Sequence, residues 1–220
     1  MDNSLSISAS VSMLVLLCAS PVTWAGYEQG VEAFERRDCT AAFQQMEEAE
    51  LLGDSRALAT SLSFNRQCCL TPAPSEQHLD DSLCKSAEAG NAAAKFLVVW
   101  GRAVVGRDAC GRLSNPAAST TTVFTAAEQG FPMAMAASGE IYEQDSQATD
   151  LVRAYAWYSL AARRGISFES ASAQRVKPKL SAEELSRGDQ LVEELDARIP
   201  RARMFGPSCS RTALSSSPTK

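Results

Sequence analysis

A glycine at the end of an alanine-rich run recurs at Gly53, Gly90, Gly130 and Gly165, at separations of 37, 40 and 35 residues, within EEAELLGDSRA, KSAEAGNAAA, TAAEQGFPMA and SLAARRGISFE. A period of this length constrains the fold more than any local motif does. It marks arrays whose units bury their apolar faces only against one another. Three columns keep step with the glycine. Four residues before it stand the small side chains Ala49, Ser86, Ala126 and Ala161, and seven before it the larger Met46, Leu83, Val123 and Tyr158. Four after it stand Ala57, Ala94, Ala134 and then Glu169, so the second small column holds three times and breaks at the last unit. Small residues let two helices approach closely, large ones fill the space between them, and glycine suits the left-handed position that closes a helix.

Each unit therefore reads as two helices around a tight glycine turn. The incoming helices are predicted over Cys39–Leu52, Ser75–Ala89, Ala117–Gln129 and Thr149–Arg164, and the outgoing ones over Asp54–Gln67, Asn91–Val105 and Pro132–Gln144, with Tyr27–Arg36 as the outgoing partner at the front. Proline and glycine in Leu70–Pro74 and Gly106–Asn115 stop helices between units. The β-branched run Thr120-Thr121-Thr122-Val123 is a poor helix former, yet it falls inside a predicted helix, where packing must override propensity. Past Gly165 come a helix over Ile166–Val176, a stop at Lys177-Pro178-Lys179, and a final helix. For that last helix Ser181 and Glu184 form a capping box and Leu180 and Leu185 a hydrophobic staple. Its face Leu185, Leu191, Val192, Leu195 and Ile199 reads as a lid on the open end of a stack. The fold class is all-α, a superhelix of about four helix-turn-helix repeats with a C-terminal capping helix.

Within AYAWYSLAARRG, the residues Ala154, Trp157, Tyr158, Ala161 and Ala162 share one helical face, with Gly165 just past its end. The adjacent aromatics are core knobs beside small residues rather than a stacking site. At these residues the chain resembles the Sel-one-like repeat family, relatives of the tetratricopeptide repeats. Ala134, Gly139 and Tyr142 match that family's outgoing helix, and Asp150, Ala154, Trp157, Tyr158, Ala161, Ala162 and Gly165 its incoming one. The front segment GVEAFERRDCTAAFQQMEEAELLGDSRA looks like the degenerate first repeat of exported members. The middle units depart: Leu62 and Val99 stand in the column of Gly139, and Asn65 and Arg102 in that of Tyr142. The resemblance covers about Gly30 to Gly165. It implies a right-handed superhelix that binds a protein or peptide partner in a groove.

The apolar run Val11–Ala19 has the length of a signal-peptide core and is too short to span a bilayer, and small residues precede a cut after Ala25. Residues 1–25 thus read as a signal peptide, 26–199 as the repeat domain, and 200–220 as a flexible, basic, serine-rich tail. Such a protein is exported, to a periplasm or the exterior, and no other segment approaches membrane-span length. Leu17 before Cys18 speaks against lipid attachment. A formal net charge of −5 provides no basic footprint for nucleic acid.

Cleavage after Ala25 leaves Cys39, Cys68, Cys69, Cys84, Cys110 and Cys209, an even set entering an oxidising compartment, where disulfides are expected. In a stack of hairpins the loops of Cys39, Cys68, Cys69 and Cys110 share an edge. A Cys39 bond to Cys68 or Cys69 fits that edge, Cys84 with Cys110 is a second candidate, and Cys209 would tie down the tail. Zinc held by Cys68, Cys69, His78 and Cys84 is the competing reading, but their spacing matches no common two-plus-two pattern. No metal or other cofactor is expected.

Some cysteine-rich proteins with such repeats have been classed as penicillin-binding or β-lactamase-like, and Ser82-Leu83-Cys84-Lys85 does spell S-x-x-K. However, the S-x-N mimic Ser63-Phe64-Asn65 precedes it and no K-T-G occurs. His78 is the only histidine, and the acidic pairs Glu47-Glu48, Glu183-Glu184 and Glu193-Glu194 read as solvated helix faces. The expectation is a non-enzymatic scaffold, with a hydrolase acting through Ser82 and Lys85 as the alternative.

Overall fold

The computed structural model describes residues 25–65, 76–100, 110, 120–144 and 150–203. Among them are ten α-helices and no strand: α1 (Ala25–Glu35), α2 (Cys39–Leu51), α3 (Ser55–Asn65), α4 (Glu76–Glu88), α5 (Ala92–Trp100), α6 (Thr120–Glu128), α7 (Pro132–Gln144), α8 (Leu151–Arg163), α9 (Glu169–Val176) and α10 (Ala182–Arg198). A 3₁₀ turn over Lys177–Lys179 joins the last two. Sequence neighbours pack on one another from α1 to α3 and from α4 to α9, α2 meets α4 and α3 meets α5 across units, and α10 returns onto α8. The fold is a solenoid of helical hairpins closed by a capping helix. The threonine run lies in α6, as packing demands.

The repeated columns have the roles their chemistry implies. Gly53, Gly90, Gly130 and Gly165 all take positive φ, at +93°, +106°, +91° and +108°. After each, the next residue's N–H bonds back to a carbonyl of the first small column: Asp54 to Ala49, Asn91 to Ser86, Phe131 to Ala126, and Ile166 to Ala161. This six-to-one bond satisfies a helix-end carbonyl and sets the turn angle. Ala49, Ser86, Ala126 and Ala161 are buried, as are Ala57, Ala94 and Ala134. The large column fills the interhelical space with Met46, Val123 and Tyr158 buried and Leu83 half-buried.

Polar groups stitch the units as well. Buried Asn91 donates from Nδ2 to the Glu50 carbonyl at 3.0 Å while its Oδ1 accepts from the Ala94 N–H at 3.1 Å. Ser55 Oγ donates to Gln129 Oε1 at 2.6 Å, linking the first glycine turn to the third.

The lid forms as read. Ser181 Oγ accepts from the Glu184 N–H and Glu184 Oε2 accepts from the Ser181 N–H, a complete capping box. Val192, Leu195 and Ile199 are buried against the stack. Arg164 clips α8 to the lid: Nε donates to Asp196 Oδ1 at 2.8 Å, Nη1 to the Pro200 carbonyl at 3.0 Å, and Nη2 to the Asp196 and Ile199 carbonyls, both at 3.1 Å. Beyond α10 the chain returns to α1, where the Arg203 N–H donates to the Tyr27 hydroxyl at 2.6 Å. Pro200–Arg203, the first residues of the stretch read as a tail, are thus held to the stack. Residues 204–220 lie outside the described residues.

Candidate functional site: a hollow on the α5, α7 and α9 face

Alternate helices of the stack form one continuous face. On it, α5, α7 and the start of α9 enclose a hollow of about 340 Å³, lined by Phe96 and Trp100 from α5, Met133, Ala136, Ala137, Glu140 and Gln144 from α7, and Ile166, Phe168, Glu169, Ser172 and Arg175 from the last unit. This volume suits a small ligand or one or two side chains. The outgoing helices α5 and α7 thus contribute most of the lining, and Tyr158 of α8 is also part of it.

Two features of the hollow do not follow from folding. Its rim carries Phe168, 70% exposed, and Trp100, 38% exposed. Phe168 stands at the N-terminal boundary of α9, where its side chain makes no cap hydrogen bond. Large aromatics left in water on a concave face are the usual mark of a surface awaiting a partner. The second feature is Glu169, 8% exposed, whose Oε2 is buried with no hydrogen-bond partner. It occupies the place that Ala57, Ala94 and Ala134 fill in the other units, in the first turn of α9, where the helix dipole favours a carboxylate.

Beside the hollow lies a polar lock. Glu143 of α7 accepts from both guanidinium nitrogens of Arg175, from the Tyr158 hydroxyl at 3.0 Å and from Lys179 Nζ at 3.2 Å. The Arg175 hydrogen bonds, helped by Tyr158 and Lys179, hold the Glu143 carboxyl down at about 2. Burial, and then the Glu143 carboxylate, push the Tyr158 hydroxyl up. An acid held ionised and a phenol held protonated join four elements; this is a fastening, not an acid–base pair.

A second, wider hollow of about 860 Å³ lies at the edge between α6, α7, α8 and α10, with Phe124, Tyr142, Leu151, Arg153, Arg187 and Leu191 in its wall. There the Phe124 and Tyr142 rings stand 5.1 Å apart and the Arg153 guanidinium lies 5.4 Å from the Tyr142 ring centre. These contacts are made within the protein.

The repeat-signature residues form the framework. Ala134, Gly139, Ala154, Trp157, Tyr158 and Ala161 are buried, Tyr142 and Ala162 are half-buried, and Gly165 makes the turn. Cys84 and Cys110 form a disulfide with Cα atoms 5.6 Å apart, so Cys84 is not available as a metal ligand. Cys39 is disulfide-bonded too. Cys68, Cys69, Cys209 and the His78 side chain lie outside the described residues, and the zinc reading loses Cys84. On α4, Ser82 is half-buried and Lys85 exposed, and neither lines either hollow. Trp100, Phe168 and Glu169 were not singled out from the sequence as site residues; the break in the alanine column at Glu169 was the one signal pointing there.

No family model matches the sequence. Nor does any curated protein. Among solved structures it is similar to a protective antigen present in uropathogenic Escherichia coli strains that displays an SLR fold, at 21% identity and a TM-score of 0.43, covering 79% of this chain. The chain spans 38% of the length of that protein.

Proposed function

We propose that this chain is an exported, non-catalytic member of the Sel-one-like repeat family that binds another protein or peptide along its α5, α7 and α9 face. The observation that carries this reading is the exposed pair Trp100 and Phe168 flanking a hollow on the face built by alternate helices. Solenoids use such faces because neighbouring units present a continuous surface that no single hairpin offers. The Cys84–Cys110 disulfide suits an oxidising compartment, and the hydrophobic run at Val11–Ala19 suits export to one. No helix among the described residues is long and apolar enough to cross a membrane.

A photo-reactive benzoylphenylalanine in place of Phe168, compared with one in place of Arg187 in the edge hollow, tests the placement in the exported fraction. A discrete adduct from position 168 and none from 187 is expected. Adducts from 187 alone, or from neither, would overturn it. The hydrolase alternative predicts covalent labelling by a β-lactam that disappears in Ser82→Ala; the scaffold reading expects none.

A further inference from the structure

Given that the α5, α7 and α9 face binds a partner, the floor of its hollow narrows what that partner presents. The residue four places beyond the turn glycine is a fully buried alanine in three units, Ala57, Ala94 and Ala134, and a glutamate in the fourth. Alanine at position 169 would complete the column without introducing any charge. Instead, Glu169 stands there: its Oε2 is withdrawn from water with no hydrogen bond, and the residue lines a hollow whose other polar members are Glu140, Gln144, Ser172 and Arg175. Burying a polar oxygen without a hydrogen bond is unfavourable unless something brings it a donor. Arg175, the cation that also lines the hollow, is committed to Glu143 by two hydrogen bonds. Trp100 and Phe168 line the same hollow, and the faces of aromatic rings attract a cation as it sheds its water.

We infer that this hollow is a cation-selecting subsite of the partner groove, in which a lysine or arginine side chain of a bound peptide passes between Trp100 and Phe168 and ends on the Glu169 carboxylate. Its volume of about 340 Å³ fits one long side chain rather than a packed helix. The aromatic rim takes the aliphatic stem of such a side chain, and the carboxylate takes its charged head. The inference rests on the groove reading above.

The test uses four labelled hexapeptide pools with one fixed residue, lysine, arginine, norleucine or glutamate, and the remaining positions randomised. Binding to the purified protein is measured by fluorescence anisotropy. The lysine and arginine pools are expected to bind at least tenfold more tightly than the norleucine pool, with the glutamate pool weakest. Glu169→Gln and Glu169→Ala level the four pools, and the melting temperature of Glu169→Ala is not lowered because alanine restores the column. Equal binding of all four pools by the unmodified protein overturns the cation subsite and leaves groove binding standing, whereas binding of none overturns both. A lysine preference that survives in Glu169→Gln overturns the assignment of Glu169.

Discussion

The ring of Tyr158 occupies the space into which a side chain at Gly139 would project: a Cβ there would stand 2.7 Å from Tyr158 Cδ1. Gly30 faces Met46 in the same way, with Met46 Cε 2.8 Å from its own would-be Cβ. The difference is what can move, because Tyr158 is a rigid ring tied to Glu143 and Met46 ends in a flexible thioether. Gly139→Ala is expected to lower stability by about 1–3 kcal/mol through overpacking, despite the roughly 0.5–1 kcal/mol that alanine gains over glycine inside a helix. Gly30→Ala is expected to stay within about 1 kcal/mol of the parent, since that gain offsets a small repacking. Urea denaturation separates the two cases, and equal losses would contradict this account of the glycines.

Two carboxyls, the half-buried Glu143 and the buried Glu50, give stability opposite dependences on pH. Glu143 titrates at about 2 when folded against an ordinary 4.5, so its contribution is complete above pH 4.5 and is lost as pH falls toward 2. Glu50, which accepts from Ser61 Oγ at 2.6 Å, is pushed by burial up to about 7. Between pH 4.5 and 7 the folded protein keeps a proton there that the unfolded chain releases, so stability falls as pH rises, by at most about 1.4 kcal/mol per unit. Urea midpoints against pH should show Glu50→Gln flattening the fall between pH 5 and 7. Glu143→Gln should flatten the acid limb and lower neutral stability by about 1–2 kcal/mol, a figure reduced because solvent screens the half-exposed Arg175 and Lys179. A fall that persists in Glu50→Gln would assign it to another group.

Arg164 is the fastening of the lid, with four donations to Asp196, Ile199 and Pro200. Arg164→Met leaves the Asp196, Ile199 and Pro200 carbonyls without this donor and the half-buried Asp196 carboxylate with Arg201 alone, a loss of about 2–3 kcal/mol. Arg164→Lys should not restore it, because an ammonium lacks the planar fork. Limited proteolysis should then cut first in α10, and an α10 that stays protected would show the lid is held by its apolar face alone.

The Cys84–Cys110 bond closes a loop with a sequence separation of 26. Replacing both cysteines by serine is expected to remove about 3 kcal/mol on the chain-entropy estimate. A thermal melt with and without the bond measures it, and unchanged melting would mean the unfolded chain is already constrained there.

The hairpin stack was legible because each of its determinants repeats. Gly53 could be read from Gly90, Gly130 and Gly165, and each column names its own tolerance for volume. Even the departures from the family pattern have an internal account: in the middle units, where Leu62 and Val99 stand in the glycine column, the knobs are Leu83 and Val123 rather than the tyrosine that faces Gly139. The Cys84–Cys110 pairing was one candidate among several, because the edge of the stack placed Cys39, Cys68, Cys69 and Cys110 together but not Cys84. The site was less legible, since a site is a departure from the repeat and occurs once. Glu169 was visible as a broken column, but its burial beside Phe168 and Trp100 depends on how α5, α7 and α9 come together across a long stretch of chain. The Pro200–Arg203 return to Tyr27 had no periodic signal either, because it depends on a backbone N–H that every residue but proline carries.

Hydrogen exchange of the protein with and without its cross-linked partner tests the assignment of the binding face most directly. The account predicts slowed exchange in α5 and across Ile166–Ser172, with α2 and the outer face of α10 unchanged. Slowing confined to α6 and α10 around the edge hollow, with α5 and α9 unaffected, would contradict it.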